Sequence, residues 1–203
     1  QHPRHAALDS LEVKDDCLLI GGIPLIRLVQ RVGTTPFYAY DRQKISVRVA
    51  SLRQYMPPEM HLYYAMKANP MPAVVQHLAG MVDGMDVASM GEMKVALDTT
   101  LLSQRISFTG PGKRLEELRS AVAAGVNINV ESASEMERVA QCGEELGILP
   151  QVSIRINPDF ELRSSGMKMG GGGQAIWCRF RTSPAITKTC QCAGIEFCRI
   201  AYF

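Results

Sequence analysis

Long apolar runs and a surplus of charge of one sign are both missing from this sequence. No stretch of the 203 residues approaches the roughly 20 apolar residues that a membrane-spanning helix needs. Lys and Arg number 22 against 20 Asp and Glu, so the formal net charge is only +2. This balance argues against a nucleic-acid groove or an anionic membrane surface as partner, and favours a small molecule or a protein. Residues 1–16 lack the apolar centre of a secretory signal, which predicts a cytoplasmic protein.

Metal-ligand patterns are scarce as well, although the chain has six cysteines. Four of them crowd the C-terminal stretch: Cys178, Cys190, Cys192 and Cys198. Their spacing matches no zinc pattern, and no histidine lies near them. No metal site is therefore predicted, and reduced thiols are the expected state of these cysteines.

What the sequence does contain is a strand-then-helix unit that recurs from His61 onward. Each unit begins with a short apolar run rich in β-branched or aromatic residues, as expected for strands buried on both faces. The runs are 62–66 (LYYAM), 85–88 (MDVA), 106–109 (ISFT), 126–130 (VNINV) and 152–156 (VSIRI). Residues 194–203 resemble a sixth strand. Strands that alternate with helices predict an α/β fold with parallel pairing.

Helix start signals follow three of these strands. Asn69 offers a cap before Pro70, while Ser89 with Glu92 and Ser132 with Glu135 both fit the capping box. The spacing therefore predicts a helix in each of these units.

A different pattern precedes the repeated units. "CLLIGGIPL" predicts a short strand with a glycine turn, "LIRLVQRVG" a helix stopped by its final glycine, and "TPFYAYD" a strand. A helix is predicted for about residues 43–55. We therefore expect a strand-helix-strand lead-in over residues 1–41, followed by the α/β domain over residues 42–203.

One polar residue lies at or near the end of each of the five apolar runs. They are Lys67, Asp86, Thr109, Glu131 and Arg155, separated by 19, 23, 22 and 24 residues. In a parallel barrel the carboxyl ends of all strands meet at one rim, where active sites are built. An open doubly wound sheet would also gather them along one edge. We favour a partial (β/α)8 TIM-type barrel with about six of the eight strands.

Lys67 in "YYAMKANP" has two interpretations. Its stem can pack on the barrel wall while the ammonium reaches water or pairs with Asp86 or Glu131. Alternatively, it is an amine that attacks an aldehyde, which requires a pKa lowered by desolvation or by a neighbouring cation such as Arg155. Pyridoxal 5'-phosphate (PLP) is the common aldehyde cofactor held in this way.

Six segments carry a resemblance to a known family. They are "FYAYD" (37–41), "YYAMKAN" (63–69), "GMDVAS" (84–89), "ISFTGPGK" (106–113), "VSIRINP" (152–158) and "SGMKMGGG" (165–172). In order and spacing the chain resembles the N-terminal half of the fold-type III PLP decarboxylases, which include the diaminopimelate, ornithine and arginine decarboxylases. Within that family it looks most like the exosortase-associated, decarboxylase-like proteins.

The resemblance implies a role for three residues. Lys67 matches the lysine that holds PLP as a Schiff base and returns a proton after decarboxylation. Asp86 matches the acidic residue near that linkage, and Arg155 matches an arginine beside the cofactor. As structural alternatives, either residue can be no more than the partner of a neighbouring charge. Thr109 and Glu131 are assigned no role beyond rim polarity or helix capping.

The chain departs from the family in one segment and in its length, and its glycine run has a separate interpretation. Residues 174–193 have no helical periodicity where a helix is expected, which suggests a stretch read in the wrong frame or a divergent insert. The glycine run 170–173 is interpreted as a flexible loop rather than a phosphate nest. The chain is also shorter than eight βα units need, so the end of the barrel and most of a β domain are expected to be missing.

These observations lead to three functional hypotheses. The first is a PLP-dependent amino-acid decarboxylase whose full-length form is a homodimer, represented here by an N-terminal piece. The others are a PLP-binding protein without catalysis, and an inactive remnant or assembly partner of an intact copy. The sequence does not identify the amino-acid substrate.

Overall fold

The computed structural model describes residues 11–155 in full and the backbone of 156 and 196–202. The chain divides into two compact units, residues 1–57 and 58–203. The division lies after the helix of residues 42–55 instead of before it, and the domain boundary at residue 41 stays a prediction. The glycine run 170–173 and the segment 174–193 lie outside the described residues.

The first unit contains a small antiparallel sheet followed by a helix. The strands are β1 (Glu12–Lys14), β2 (Cys17–Ile20) and β3 (Ile23–Pro24), in the order β1-β2-β3. Gly21 and Gly22 join β2 to β3 with φ of 59° and 74°, values that a hairpin turn requires and that glycine adopts without strain. Helix α1 (Leu25–Val32) ends at Gly33, which is left-handed with φ of 78°. The predicted strand, glycine turn and helix stop are confirmed.

The prediction of a strand at "TPFYAYD" is wrong. Residues 37–41 have no regular secondary structure, and none of them pairs with the three-stranded sheet. An apolar, aromatic pattern indicates a strand only where a partner strand accepts its backbone hydrogen bonds. Asp41 instead ends the segment by capping α2 (Arg42–Tyr55), where its Oδ1 accepts hydrogen bonds from the backbone nitrogens of Gln43 and Lys44.

The second unit is built on a six-stranded parallel sheet. Its strands are β4 (Tyr63–Ala65), β5 (Gly84–Val87), β6 (Ile106–Phe108), β7 (Asn127–Val130), β8 (Gln151–Ile156) and β9 (Glu196–Tyr202). They pair in chain order, β4-β5-β6-β7-β8-β9. A doubly wound sheet reverses its strand order at a switch point, and these six strands show no such reversal. All six strand predictions are confirmed, and the pairing favours the barrel over the open sheet.

Four helices connect the first five strands of this sheet: α3 (Pro72–Ala79), α4 (Met90–Leu97), α5 (Leu115–Ala124) and α6 (Ala133–Leu146). Ser89 and Ser132 cap α4 and α6 as predicted, each accepting a hydrogen bond from the backbone nitrogen three residues later. Asn69 does not cap α3, because the helix begins at Pro72. In the described part of the chain no helix is long and apolar enough to cross a membrane.

The core of the second unit lies between the sheet and its helices. Met85, Ile106 and Ile128 on the strands are fully buried, as are Leu118 and Val139 on α5 and α6. Burying such side chains contributes about 1.5–3 kcal/mol each before conformational entropy is subtracted. The strand interiors are therefore mainly apolar, and the polar side chains buried within them, such as Asn127, Asn129 and Ser153, need hydrogen-bond partners.

A buried ion pair lies within the second unit. The Lys113 ammonium is 3.0 Å from Glu135 Oε1, and the two side chains are 1% and 3% exposed. Lys113 Nζ also donates to the carbonyl oxygens of Gly110 and Asn129, each at 2.7 Å. Its three donors are thus all used, which compensates for the cost of removing the charge from water. The pair fixes the loop after β6 against β7 and the start of α6.

Lys113→Met should lower the free energy of unfolding by about 3–5 kcal/mol, because it leaves the Glu135 carboxylate buried without its counter-charge. Urea titration followed by far-ultraviolet circular dichroism measures the change. Arg119→Met is the matched control, since Arg119 pairs with Glu145 at the exposed surface, where such pairs contribute about 0–1 kcal/mol. Equal losses in the two variants would show that the buried pair does not stabilise the unit.

Candidate active site

The five polar residues predicted to converge are brought together at one rim of the sheet. Asp86 lies within β5 and Arg155 within β8. Lys67, Thr109 and Glu131 follow β4, β6 and β7 within two residues of the strand end. Because these strands are parallel and adjacent in chain order, the five residues come from five successive positions along that rim.

Lys67 lies in a turn that is held from both sides. The turn is a single 3-10 segment, Met66–Ala68, in which Met66 is buried and Lys67 is exposed. The Tyr64 hydroxyl donates to the Asn69 carbonyl at 3.0 Å, and Asn69 Oδ1 accepts from the backbone nitrogen of Met71 at 3.1 Å. These bonds fix the backbone on which the lysine is carried.

The Lys67 amine makes no hydrogen bond or ion pair within the described residues. The pairing with Asp86 or Glu131 that sequence reasoning considered is therefore not formed there. Its place after an apolar strand does not remove it from water, because Met66 fills the buried position and the lysine side chain is exposed. Lys67 is left as an accessible primary amine at the rim.

Asp86 is half-buried and is surrounded by hydrogen-bond donors and cations. Its Oδ1 accepts a short hydrogen bond from the Thr109 hydroxyl. Burial raises the pKa of Asp86 above the usual range of an aspartate, and this effect is larger than the opposing ones. Hydrogen bonds from Thr109 and Ser107 and the charges of Lys67 and Arg155 act to lower that pKa. Asp86 is thus electrostatically coupled to both of the other predicted site residues.

Arg155 is held at the rim by Glu131. Its guanidinium is 3.4 Å from Glu131 Oε1, which also accepts from the Gly110 backbone nitrogen at 3.3 Å. Burial lowers the pKa of Arg155 and the Glu131 carboxylate raises it, but arginine remains charged in either case. The second oxygen of Glu131, Oε2, is buried and has no hydrogen-bond partner in the part of the chain that the structure describes. Glu131 therefore orients the arginine, a role that sequence reasoning did not assign to it.

Three further residues of the site were missed from the sequence. Asn129 and Ser107 join the hydrogen-bond network around Asp86, and Lys113 anchors the loop behind it. The polar letters inside the apolar run "VNINV" were the available signal, since an asparagine in a strand buried on both faces needs hydrogen-bond partners. The run does not say which partners these are.

The described residues fit PLP in three respects. An accessible amine can take an aldehyde, the half-buried Asp86 carboxylate at the same rim is affected by the charge of that amine, and the Arg155 guanidinium can pair with an anionic group. The Glu131 Oε2 atom, which has no partner among the described residues, also shows that these residues leave hydrogen-bonding capacity at the rim. Among the described residues no cluster of His, Cys, Asp and Glu suited to a metal ion is found.

Comparison with known proteins agrees with this arrangement. Diaminopimelate decarboxylase from Pseudomonas aeruginosa is 34% identical over 176 residues, which cover 83% of this chain and 42% of that protein. The crystal structure of diaminopimelate decarboxylase from M. jannaschii superposes with a TM-score of 0.75 at 25% identity, covering 96% of this chain and 47% of that one. This likeness confirms the fold as a partial TIM-type barrel.

The structure of SrLDC in complex with PLP and cadaverine is also similar, with a TM-score of 0.66 and 25% identity over 87% of this chain and 42% of that one. The chain thus spans less than half the length of these relatives.

The family described as "Pyridoxal-dependent decarboxylase, pyridoxal binding domain" matches residues 42–196, which include all five polar rim residues. The match covers well over half of the chain and contains five of the six parallel strands, β4–β8, together with the first residue of β9. The cofactor of this family is PLP, as the sequence resemblance implied. The chain therefore belongs to the pyridoxal-dependent decarboxylases, and the rim of its parallel sheet lies in their pyridoxal-binding domain.

Proposed function

We propose that this chain supplies the PLP-binding part of an amino-acid decarboxylase and that Lys67, Asp86 and Arg155 form its reactive centre. The observation that carries the proposal is geometric: the parallel sheet places Lys67, Asp86 and Arg155 at neighbouring strand ends along one rim. The charges of Lys67 and Arg155 also act to lower the pKa of the Asp86 carboxyl. A set of coupled ionisable groups at the rim of a parallel barrel is typical of an active site.

Each residue has a distinct task in this proposal. Lys67 Nζ, accessible and without a hydrogen bond or ion pair among the described residues, holds the cofactor aldehyde and later donates a proton to the reaction centre. Asp86 offers an oriented carboxylate next to that amine. Arg155, directed by Glu131, pairs with an anionic group of cofactor or substrate. Bound PLP supplies the electron sink that accepts the electron pair left when carboxylate departs.

The substrate class in this proposal is a small amino acid. The names of the relatives support it, since one is a diaminopimelate decarboxylase and another binds cadaverine, a diamine. L-Lysine, ornithine and diaminopimelate are therefore the compounds to assay for released carbon dioxide. A homodimer as the active form, a cytoplasmic location and an association with exosortase genes belong to the same proposal and stay predictions.

The first test asks whether Lys67 carries the cofactor. PLP added to the purified chain should produce a visible absorbance band that sodium borohydride converts to a permanent attachment, and peptide mass spectrometry should locate the attachment at Lys67. Lys67→Ala should abolish both the band and the attachment, because no other amine at the rim is placed to replace it among the described residues.

Lys94→Ala is the matched control for this test, since Lys94 is an exposed lysine on α4, away from the rim. It should leave the attachment unchanged. Attachment spread over several lysines in the folded chain would contradict the role of Lys67. Attachment at Lys67 without carbon dioxide release from any of the three amino acids would instead favour the non-catalytic PLP-binding hypothesis.

The second test concerns Asp86 and follows from the direction of its pKa. Because burial raises that pKa, the folded chain keeps a proton over a pH range in which the unfolded chain has lost it. Stability therefore falls as pH rises through this range. Asp86→Asn removes the titration, so its stability relative to the unaltered chain should be lowest below about pH 4 and should increase as pH rises.

Urea unfolding of both proteins across a pH series measures this difference. Asp98→Asn serves as the control, because Asp98 is exposed at the end of α4 and has no part in the rim network. Its difference from the unaltered chain should depend on pH less than that of Asp86→Asn. A pH-independent difference for Asp86→Asn would mean that burial does not govern the charge of this carboxylate.

A further inference from the structure

A forked hydrogen-bond chain begins at Asn129 and ends at Asp86. Asn129 is 2% exposed on β7, and its Nδ2 donates to Ser107 Oγ at 2.7 Å and to Thr109 Oγ1 at 2.8 Å. The Thr109 hydroxyl in turn donates to Asp86 Oδ1, and Ser107 is the residue directly opposite Asp86 in the β5–β6 register. Three neighbouring strands thus contribute to one polar network.

The donor count gives this network a direction. A primary amide has two N–H hydrogens, and Asn129 uses one on each hydroxyl. Each hydroxyl has a single hydrogen of its own. Since its oxygen already accepts from Asn129, that hydrogen is available to the carboxylate. A hydrogen bond from either hydroxyl favours the charged form of Asp86.

We propose that Asn129 is a positioning residue: it orients the hydroxyls of Ser107 and Thr109 so that both donate to Asp86, and it thereby keeps this carboxylate a hydrogen-bond acceptor at the rim. The catalytic meaning of this arrangement rests on the proposed function, whereas the arrangement itself does not. Asn129 touches neither cofactor nor substrate in this proposal and acts only through the two hydroxyls.

The backbone of Asn129 is fixed as firmly as its side chain. Its carbonyl oxygen accepts a 2.7 Å hydrogen bond from the Lys113 ammonium, which is itself held by Glu135. The buried ion pair therefore fixes the point on β7 from which the amide reaches across β6. A well-anchored donor orients the hydroxyls more strongly than a mobile one would, because less rotational freedom is lost on forming the bonds.

A second asparagine on the same strand provides a matched control. Asn127 is also buried, and its amide exchanges hydrogen bonds with the Ser153 hydroxyl, donating at 2.9 Å and accepting at 3.2 Å. Asn127 and Asn129 are two residues apart and so lie on the same face of β7. In the described residues Asn127 has no link to Asp86, so its loss perturbs the strand but not the network.

The experiment is a pH titration of the aspartate side-chain carboxyl carbons by nuclear magnetic resonance, with Asp86 assigned from the signal missing in Asp86→Asn. Asn129→Leu keeps the approximate shape of the side chain, removes both donors and adds no charge. The titration midpoint of Asp86 should move to higher pH, because the hydroxyls are then free to turn away from the carboxylate. Asn127→Leu should move it less or not at all.

If Asn129 only stabilised the fold, its loss would shift the Asp86 midpoint whether or not the two hydroxyls were present. A double-variant cycle separates this structural role from the positioning role. In a Ser107→Ala/Thr109→Val background the hydroxyls are gone, so adding Asn129→Leu should cause little further shift of the Asp86 midpoint. An unchanged midpoint in Asn129→Leu, or an equal shift with and without the hydroxyls, would overturn the proposal. Thr109→Ser, which retains a hydroxyl, should preserve the original midpoint.

Two precautions keep the test decisive. If Asn129→Leu does not fold, Ser107→Ala and Thr109→Val are titrated singly, and each should raise the Asp86 midpoint. If neither variant raises it, the proposal is also overturned. The titration is run without PLP, so its result is independent of the Lys67 attachment test. A shifted Asp86 midpoint without PLP attachment at Lys67 would support the role of Asn129 and reject the proposed function. An unchanged midpoint with attachment at Lys67 would reject the role of Asn129 and leave the proposed function supported.

Discussion

Parallel pairing in chain order is the constraint from which the rest of the site follows. Six strands that pair β4 to β9 without reversal place every carboxyl end on the same side of the sheet. The strand interiors are mainly apolar because helices cover the sheet, and a polar residue buried within a strand, such as Asn129, is held by hydrogen bonds to neighbouring strands. A spacing of about one βα unit in the sequence thereby becomes adjacency in space, and residues far apart in the chain share one electrostatic environment.

Burying the Asp86 carboxylate in that environment costs free energy, and the hydrogen-bond network offsets part of this cost. Burial disfavours the charged form of Asp86, and the hydroxyls of Ser107 and Thr109 and the cations Lys67 and Arg155 oppose this effect. The supporting groups lie behind the rim, on strands that also form the core. The same packing that removes water from the carboxylate therefore holds the donors that stabilise its charge, so stability and the state of the site are linked.

The sequence predicted the elements and the convergence of the rim residues, because both depend on local periodicity and on strand spacing. It failed where the outcome depends on contacts that the local pattern does not specify. "TPFYAYD" has the composition of a strand but no strand to pair with among the described residues. Lys67 follows an apolar strand, yet Met66 fills the buried position next to it. Periodicity specifies which residues face inward, but not which hydrogen bonds satisfy them.

The residues that were missed share a physical feature. Asn129 reaches Ser107 and Thr109 across 22 and 20 residues of chain, and Lys113 reaches Glu135 across another 22. Such bonds connect adjacent βα units. The residues that hold the rim residues in place are therefore separated along the chain by about the same distance as the rim residues themselves. A polar residue in an apolar strand of a parallel barrel is therefore best interpreted together with the residues one unit away. Applied to "VNINV" and "ISFT", that rule pairs Asn129 with Ser107 and Thr109.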